Sequence, residues 1–351
     1  MSTSPYLPLF EVTRGDIVES IHFGAIAVVE ARGRLIASYG DPQVVTFLRS
    51  TAKPFQALPF VENKGPETYG LSLREVALMC ASHSGTDEHV AVVRGIQAKT
   101  GVAEEDLVCG THPLSHVPTI EAMRQRGEKL TPNRHNCSGK HTGMLAYASM
   151  KGLPKDGYTN PSHPIQQEIL RTFAAMCALS PEQVEIGIDG CSAPNFAVPL
   201  YNAALALARL CDPQAGSVEP PARQAACYTI VEAMTSHPDM VGGPDSFDTH
   251  LMQVMRGRIL AKSGAEGYYG LGLRPGVLET GSPGVGVILK VSDGDAQHRA
   301  RSAAILELLH QLGVLSPSQA GELEEYGPIS PLYNWRKLEI GQARPCFELS
   351  R

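Results

Sequence analysis

Residues that favour β-strands are concentrated toward the two ends of this chain of 351 residues. The stretch GAIAVVEARGRLIASYG, at 24–40, has the alternation of two strands on either side of the tight turn Ala31-Arg32-Gly33, which predicts a β-hairpin. Short β-rich runs separated by glycines recur at 258–293 and predict adjacent antiparallel strands. Because strands must pair, the pattern predicts one antiparallel sheet that contains both chain ends.

Between these ends the sequence has mainly the pattern of helices and loops. Ser72-Leu-Arg-Glu75 predicts a capping box, and Thr86 is placed to cap a helix through HVAVVRGIQAKTG. Apolar residues also have helical spacing at 196–210 and 300–313. The region 212–246, rich in glycine and proline, predicts a surface excursion or a lobe boundary.

These patterns predict a mixed α/β (α+β) fold made of a single domain over residues 1–351. Within it we expect a sheet lobe, from about 1–48 and 256–351, and a mainly helical lobe from about 49–255.

Composition narrows the class of partner. The formal charge of −6 offers no basic surface for nucleic acid, so a small-molecule partner is expected. No apolar run approaches the roughly 18 residues that span a bilayer, and the opening MSTSPYLPLFEV lacks the pattern of a signal peptide. The eight cysteines form no C-x-x-C pair and no regular framework. We therefore expect a cytoplasmic protein with reduced thiols and no membrane partner.

RSTAKPFQ, at 49–56, contains a serine three residues ahead of a lysine and a proline directly after the lysine. Proline is tolerated only in the first turn of a helix, so Pro54 places Ser50 and Lys53 at a helix N-terminus. Free backbone N–H groups there favour a developing negative charge. To act as a base, Lys53 must be neutral, which burial or a second cation can achieve.

Two later stretches support a catalytic interpretation. Ser82-His83-Ser84-Gly85 predicts a loop that presents side chains into a cleft, and Lys262-Ser263-Gly264 lies on a predicted strand. With Ser50 and Lys53 they resemble the three-part signature of the penicillin-recognising serine enzymes. The middle element ends in Ser84 rather than the usual asparagine, which argues against antibiotic or cell-wall substrates.

NCSGKHTG, at 136–143, and IDGCSAPN, at 188–195, join cysteines to polar residues and glycines. Cys137, His141 and Cys191, with Asp189 or His135 as a fourth member, are ligand types that zinc prefers. Lys140 could join only if the metal displaced the proton from its ammonium group. Alternatively, the cysteines are packed thiols and Asp189 is a turn residue. The spacing excludes a phosphate loop, and no G-x-S-x-G occurs at the candidate serines.

Six motifs that follow one another along nearly the whole chain resemble the rhizobial-type L-asparaginases, the asparaginase II family. They are ESIHFGAIAVV, RSTAKPFQ, CASHSGTDEH, NCSGKHTGM, GIDGCSAPNFA and AKSGAEG. The resemblance implies a fold similar to serine β-lactamases and glutaminases, hydrolysis of asparagine to aspartate and ammonia, and a homodimer.

The resemblance also assigns residues. It implies two Ser-Lys tandems, Ser50 with Lys53 and Ser82 with Lys262. It further implies a zinc site beside the substrate pocket, with Lys140 rather than His141 as a ligand. The metal ligands so implied are Cys137, Lys140 and Cys191. Zinc would then tune substrate affinity or stabilise the structure, since the serines already provide the nucleophile.

The resulting hypothesis is that Ser50 attacks the side-chain amide while neutral Lys53 takes its proton. Ser82 with Lys262 would relay protons, and the reverse assignment, with Ser82 as nucleophile, stays open. Candidates for the substrate's α-amino and α-carboxylate groups are Arg49, His83, Asn136 and Asp189. Alternative functions are a glutaminase or another small-amide hydrolase, and a non-catalytic module that binds amino acids or zinc.

Overall fold

The computed structural model describes residues 4–351 and has two antiparallel sheets surrounded by helices. The strands are β1 Leu7–Arg14, β2 Ile17–Glu30, β3 Leu35–Tyr39, β4 Val45–Phe47, β5 Glu185–Ile188, β6 Pro194–Pro199, β7 Ile259–Ser263, β8 Tyr268–Leu273, β9 Val285–Val291, β10 Ser330–Tyr333 and β11 Glu339–Pro345. The α-helices are α1 Lys53–Glu62, α2 Gly65–Tyr69, α3 Leu73–Met79, α4 Asp87–Thr100, α5 Val117–Arg126, α6 Ser138–Met150, α7 Pro164–Met176, α8 Leu200–Cys211, α9 Pro221–Ser236, α10 Pro238–Val241, α11 Phe247–Val254, α12 Arg301–Gln311 and α13 Pro317–Glu322.

Strands from both chain ends form the main sheet, as the sequence predicts. Its order is β10-β11-β1-β2-β9-β8-β7, and β3 also pairs with β2. The predicted hairpin corresponds to the C-terminal half of β2 and to β3, and β7, β8 and β9 are antiparallel neighbours. The predicted mixed fold with a sheet made by both ends is confirmed.

Helix α8 packs closely against β2, β8 and β9. Glycines on these strands permit the close approach: a Cβ at Gly286 would lie 1.8 Å from the carbonyl oxygen of Ala204, and one at Gly272 would lie 2.4 Å from Cys211 Sγ. This contact joins the sheet to the helical part of the chain, whose buried side chains belong to the same core.

Two features differ from the sequence predictions. A second sheet of order β4-β6-β5 connects the two predicted lobes, and β6 takes the first part of the stretch predicted to be helical at 196–210. The region predicted to be a surface excursion contains α9, which packs against α1 and α3. Its buried face, which includes Cys227 and Ile230, lies between polar and proline-rich flanks that mask the periodicity.

The predicted caps are confirmed, since Ser72 and Glu75 form a capping box and Thr86 accepts from His89 N–H. The eight cysteines are free, and all except Cys346 are buried. Within residues 4–351 the structure has no helix that is both long and apolar enough to cross a membrane.

Candidate active site

Ser50 and Lys53 lie at the start of α1, where Pro54 predicts them. A 3₁₀ turn over Arg49–Ala52 leads into the helix. Arg49 has a left-handed backbone, with φ of 53°, and its N–H donates to Asn195 Oδ1 over 3.0 Å. Such a conformation is unfavourable for an L-residue and persists where the surroundings fix it. Within residues 4–351, the Ser50 hydroxyl makes no hydrogen bond to a protein group.

The Lys53 side chain is buried and reaches across to the segment that follows α3. Its Nζ lies 2.9 Å from Ser82 Oγ and donates to the carbonyl oxygens of Ala81, over 2.6 Å, and Asn136, over 3.2 Å. The predicted pairing of Lys53 with Ser50 therefore differs from the contact in the structure, which joins Lys53 to Ser82. Spacing along a helix shows which residues share a face, but a four-carbon side chain reaches beyond its own turn.

Lys262 lies on β7, and its side chain is fully buried. Its Nζ donates to Ser263 O over 2.7 Å and lies 3.9 Å from Asp248 Oδ2. Burial lowers the pKa of Lys262 to about 7; Asp248 opposes the shift, and the nearby charge of Lys53 adds to it. The sequence hypothesis expected a second cation to lower the pKa of Lys53. In the structure, the pKa of Lys262 is lowered, mainly by burial, and the charge of Lys53 is a smaller contribution.

The predicted tandem of Ser82 with Lys262 is not joined by a hydrogen bond in the described residues. Instead, Lys262 is organised by Asp248, a residue that sequence reasoning missed. Asp248 lies at the start of α11, and its Oδ2 accepts from both the N–H and the Oγ–H of Ser263 over 2.8 Å. Only the tertiary fold brings this carboxylate to Lys262-Ser263-Gly264, the K-S-G strand at the end of β7. No local sequence pattern indicates that Asp248 lies there.

Arg49 and Asp189 form an ion pair next to Ser50. Nε and Nη2 of Arg49 donate to Asp189 Oδ1 over 3.1 and 2.8 Å, and Gly190 N–H donates to the same oxygen. Asp189 follows β5, so the small sheet positions both residues. Two predicted substrate-binding residues therefore lie together, with Arg49 Nη1 and Asp189 Oδ2 outside the pair.

His83 and Asn136, which were also predicted to bind the substrate, differ in their surroundings. His83 is 1% exposed; its Nδ1 accepts from Gly85 N–H, and its Nε2 contacts Ser138 Oγ over 2.9 Å. Burial lowers the pKa of His83 well below its usual value, so it is a neutral support of α6 with no nitrogen left for a substrate. Asn136 contributes its carbonyl to Lys53, and its N–H donates to His112 Nε2, which the sequence did not indicate.

The predicted metal ligands converge at the start of α6. A Cβ at Gly139 would lie 2.2 Å from Leu78 O, so glycine there lets α6 approach α3. Lys140 Nζ lies 2.9 Å from Cys191 Sγ. A hydrogen bond from Cys191 lowers the pKa of Cys137 well below its usual value despite burial, with help from the Lys53 and Lys140 charges. The same bond and burial raise the pKa of Cys191.

Burial alone would lower the pKa of Lys140, but the sulfurs of Cys137 and Cys191 raise it. Cys137, Cys191 and Lys140 are thus a thiolate, a thiol and an ammonium. These three groups fit zinc once Cys191 and Lys140 have lost their protons. His141 Nδ1 is 2.6 Å from the Tyr158 hydroxyl, and its buried Nε2 has no hydrogen-bond partner within residues 4–351. His135 Nδ1 accepts from Cys137 N–H. Residues 4–351 contain no group of three His, Cys, Asp or Glu side chains suited to a metal. A site at Cys137 and Cys191 therefore needs Lys140 as its third ligand.

The candidate site thus combines two buried lysines, a serine hydroxyl in contact with Lys53 and an Arg–Asp ion pair beside Ser50. The protein with this fold and site is an amidohydrolase. The model of the family described as L-asparaginase II matches residues 10–345, and the chain belongs to this family. None of the curated proteins compared with the chain matches it.

Several solved structures are similar to this chain at low identity. Mglu in its native form in 4.3 M NaCl is 15% identical, with a TM-score of 0.39 over 81% of this chain and 59% of that one. A probable glutaminase from Bacillus subtilis is 12% identical, with a TM-score of 0.38 over 83% and 84%. A β-lactamase from Mycobacterium bovis is 12% identical, with a TM-score of 0.44 over 82% and 94%. These values carry no information on the substrate.

Proposed function

We propose that this protein hydrolyses the side-chain amide of L-asparagine to give L-aspartate and ammonia. The observation that carries the proposal is the contact of Lys53 Nζ with Ser82 Oγ at 2.9 Å, made from the helix start that also contains Arg49 and Ser50. A serine nucleophile needs a base within hydrogen-bond reach of its proton path and a nearby group that orients the substrate. The Arg49–Asp189 pair supplies the second requirement.

Recognition of an amino acid requires a cation for its α-carboxylate. Arg49 donates to Asp189 through Nε and Nη2, so its Nη1 takes no part in the ion pair. We assign the α-carboxylate to Arg49, with Asp189 beside it as a second substrate-binding residue. Because Arg49 immediately precedes Ser50, binding there would place the substrate beside the serine.

In the proposed reaction, the Ser50 hydroxyl attacks the amide carbonyl to form a β-aspartyl ester. One of the two buried lysines, Lys53 and Lys262 (the lysine pair), takes the hydroxyl proton, and a proton passes to the departing amide nitrogen, which leaves as ammonia, through Ser82 and Lys53. With a pKa of about 7, the Lys262 amine is neutral in about half of the molecules near pH 7. The backbone N–H of Ser50, at a helix start, is the candidate donor to the oxyanion. Water then hydrolyses the ester.

The first prediction is that purified protein releases ammonia from L-asparagine faster than from L-glutamine. A pocket that fits the shorter side chain loses contacts and alignment when one methylene is added, an effect of about 10–200-fold. Coupled detection of ammonia with each amide, at matched concentrations, measures the ratio. A ratio in favour of glutamine would assign the alternative glutaminase activity. Binding of asparagine, seen as thermal stabilisation, without ammonia release would support a non-catalytic module.

We also propose that Cys137, Lys140 and Cys191 hold Zn²⁺. Two sulfurs and one nitrogen are ligands that zinc accepts, and three protein ligands leave a position open. When bound, zinc would supply a positive charge that fixes the two thiolates beside the substrate. The protein residues provide the nucleophile and the base, so the metal would have an affinity-tuning or structural role.

Zinc binding is predicted to release about two protons, from Cys191 and Lys140, because Cys137 is already a thiolate in the metal-free protein. Isothermal titration calorimetry in buffers of different ionisation enthalpy counts them. Cys137→Ala should abolish tight binding, whereas Cys346→Ala, at the exposed cysteine, should leave it unchanged. Equal zinc affinity in the Cys137→Ala and Cys346→Ala proteins would argue against this site. The homodimer and the cytoplasmic location stay predictions.

A further inference from the structure

Glu266 has a backbone conformation that its residue type does not favour. It lies in the turn between β7 and β8, with φ of 57°, next to Gly267 at φ of 68°. The left-handed region is unfavourable for a non-glycine residue, whereas glycine adopts it freely. Such outliers cluster at functional sites, where the surrounding structure maintains them. The side chain of Glu266 is therefore the feature to explain.

The turn is held from several directions. Lys290, itself 7% exposed, donates through Nζ to Glu266 O over 2.5 Å. Arg301 Nη1 donates to Gly264 O over 2.8 Å, and Gly264 N–H donates to Tyr268 O over 2.9 Å. These bonds all involve main-chain atoms of the turn. They fix where the Glu266 side chain starts without engaging its carboxylate.

The carboxylate of Glu266 lies at the candidate active site and is uncommitted. Its Oε1 is 3.9 Å from Arg49 Nη1, beyond hydrogen-bond distance, and its side chain is 70% exposed. Neither oxygen accepts a hydrogen bond from residues 4–351. Asp189 differs, because its Oδ1 already accepts from Arg49 and from Gly190 N–H. A Cβ at Gly294 would lie 2.7 Å from Glu266 Oε2, so glycine there leaves this side chain its space.

An α-amino acid carries its ammonium and its carboxylate on the same carbon atom. The acceptor for the ammonium must therefore lie beside the donor for the carboxylate. Glu266 meets this condition if Arg49 Nη1 takes the carboxylate, and its free oxygens can accept charge-assisted hydrogen bonds.

We infer that Glu266 receives the α-ammonium group of the substrate and selects α-amino acid amides over amides that lack this group. The inference rests on the proposed function, since it takes Arg49 as the receptor of the α-carboxylate. It adds a specificity-determining residue to the turn that directly follows Lys262.

The test compares L-asparagine with succinamic acid, which has a hydrogen in place of the α-amino group. The wild-type protein should prefer asparagine by about tenfold or more in kcat/KM, because the analogue cannot donate a charge-assisted hydrogen bond to Glu266. Glu266→Gln should lower kcat/KM for asparagine by about tenfold or more, mainly through KM, and leave succinamic acid nearly unchanged. The matched control, Glu279→Gln, changes an exposed glutamate in the loop between β8 and β9 and should keep the wild-type ratio.

Two results would overturn the inference. One is an equal loss on both amides in Glu266→Gln, and the other is a collapse of the ratio in Asp189→Asn but not in Glu266→Gln. A structural role is checked with Glu266→Gly, whose melting temperature should not fall below the wild-type value because glycine favours this backbone; a clear fall would contradict the inference. If the wild-type protein releases ammonia from glutamine only, the same comparison uses glutaramic acid. Release from neither amino acid overturns the proposed function itself.

Discussion

Ser50→Ala is expected to lower the rate of ammonia release from asparagine by about 10⁴-fold or more, with the fold retained. The hydroxyl lies at the start of α1, next to the Arg49–Asp189 pair, and forms no hydrogen bond within residues 4–351 that would hold it away from a substrate. Its removal eliminates the covalent step, whereas packing changes little because the side chain is only half-buried. Single-turnover ammonia release, with circular dichroism as the check on folding, measures the effect.

Ser82→Ala discriminates between the two serines. Because Ser82 contacts Lys53, its loss should interrupt proton transfer and reduce turnover by about 10²–10⁴-fold, the usual range for general acid–base groups. An asparagine analogue with a diazoketone in place of the amide should still label Ser50 in this variant, and peptide mass spectrometry locates the label. Ser302→Ala, on α12, is the neutral control. Labelling of Ser82 in the Ser50→Ala protein would transfer the nucleophile role to Ser82.

The parts of the fold that the sequence predicts correctly are those decided by local chemistry. The turn at Ala31-Arg32-Gly33 separates β2 from β3, and Ser72 and Thr86 cap α3 and α4, because alternation and capping act within a few residues. The same locality places Ser50 and Lys53 at a helix start through Pro54. Pairing of both chain ends also follows, since exposed strand edges require partners.

The site contacts that the sequence does not predict depend on groups distant along the chain. Lys53 contacts Ser82 because the end of α3 lies beside α1. The spacing of residues within RSTAKPFQ cannot indicate this placement. Asp248 reaches the K-S-G strand from α11 for the same reason. His83 illustrates the converse: its motif suggests a ligand, but burial and its bond to Ser138 make it a neutral support. Residue types therefore identify the candidate site, and packing assigns their roles.

Lys262 should determine how activity depends on pH. Burial lowers its pKa to about 7, so it is charged below this pH and neutral above it. If the lysine pair must hold a neutral amine to take the Ser50 proton, kcat should rise with pH through an apparent pKa near 7 and then level. Lys262→Arg keeps a permanent charge there, and we expect it to lose about 10³-fold in kcat together with this limb of the profile.

Asp248 provides the second arm of this test. Its carboxylate raises the pKa of Lys262 against the effect of burial, so Asp248→Asn should shift the rising limb to lower pH without abolishing activity. Lys151→Arg, at a lysine that is one-third exposed, should leave the profile unchanged. Measuring kcat at saturating asparagine excludes titration of the free substrate's own amino group. A limb that appears only above about pH 9 would mean that neither lysine is neutral at pH 7, and the base would have to be sought elsewhere in the cleft.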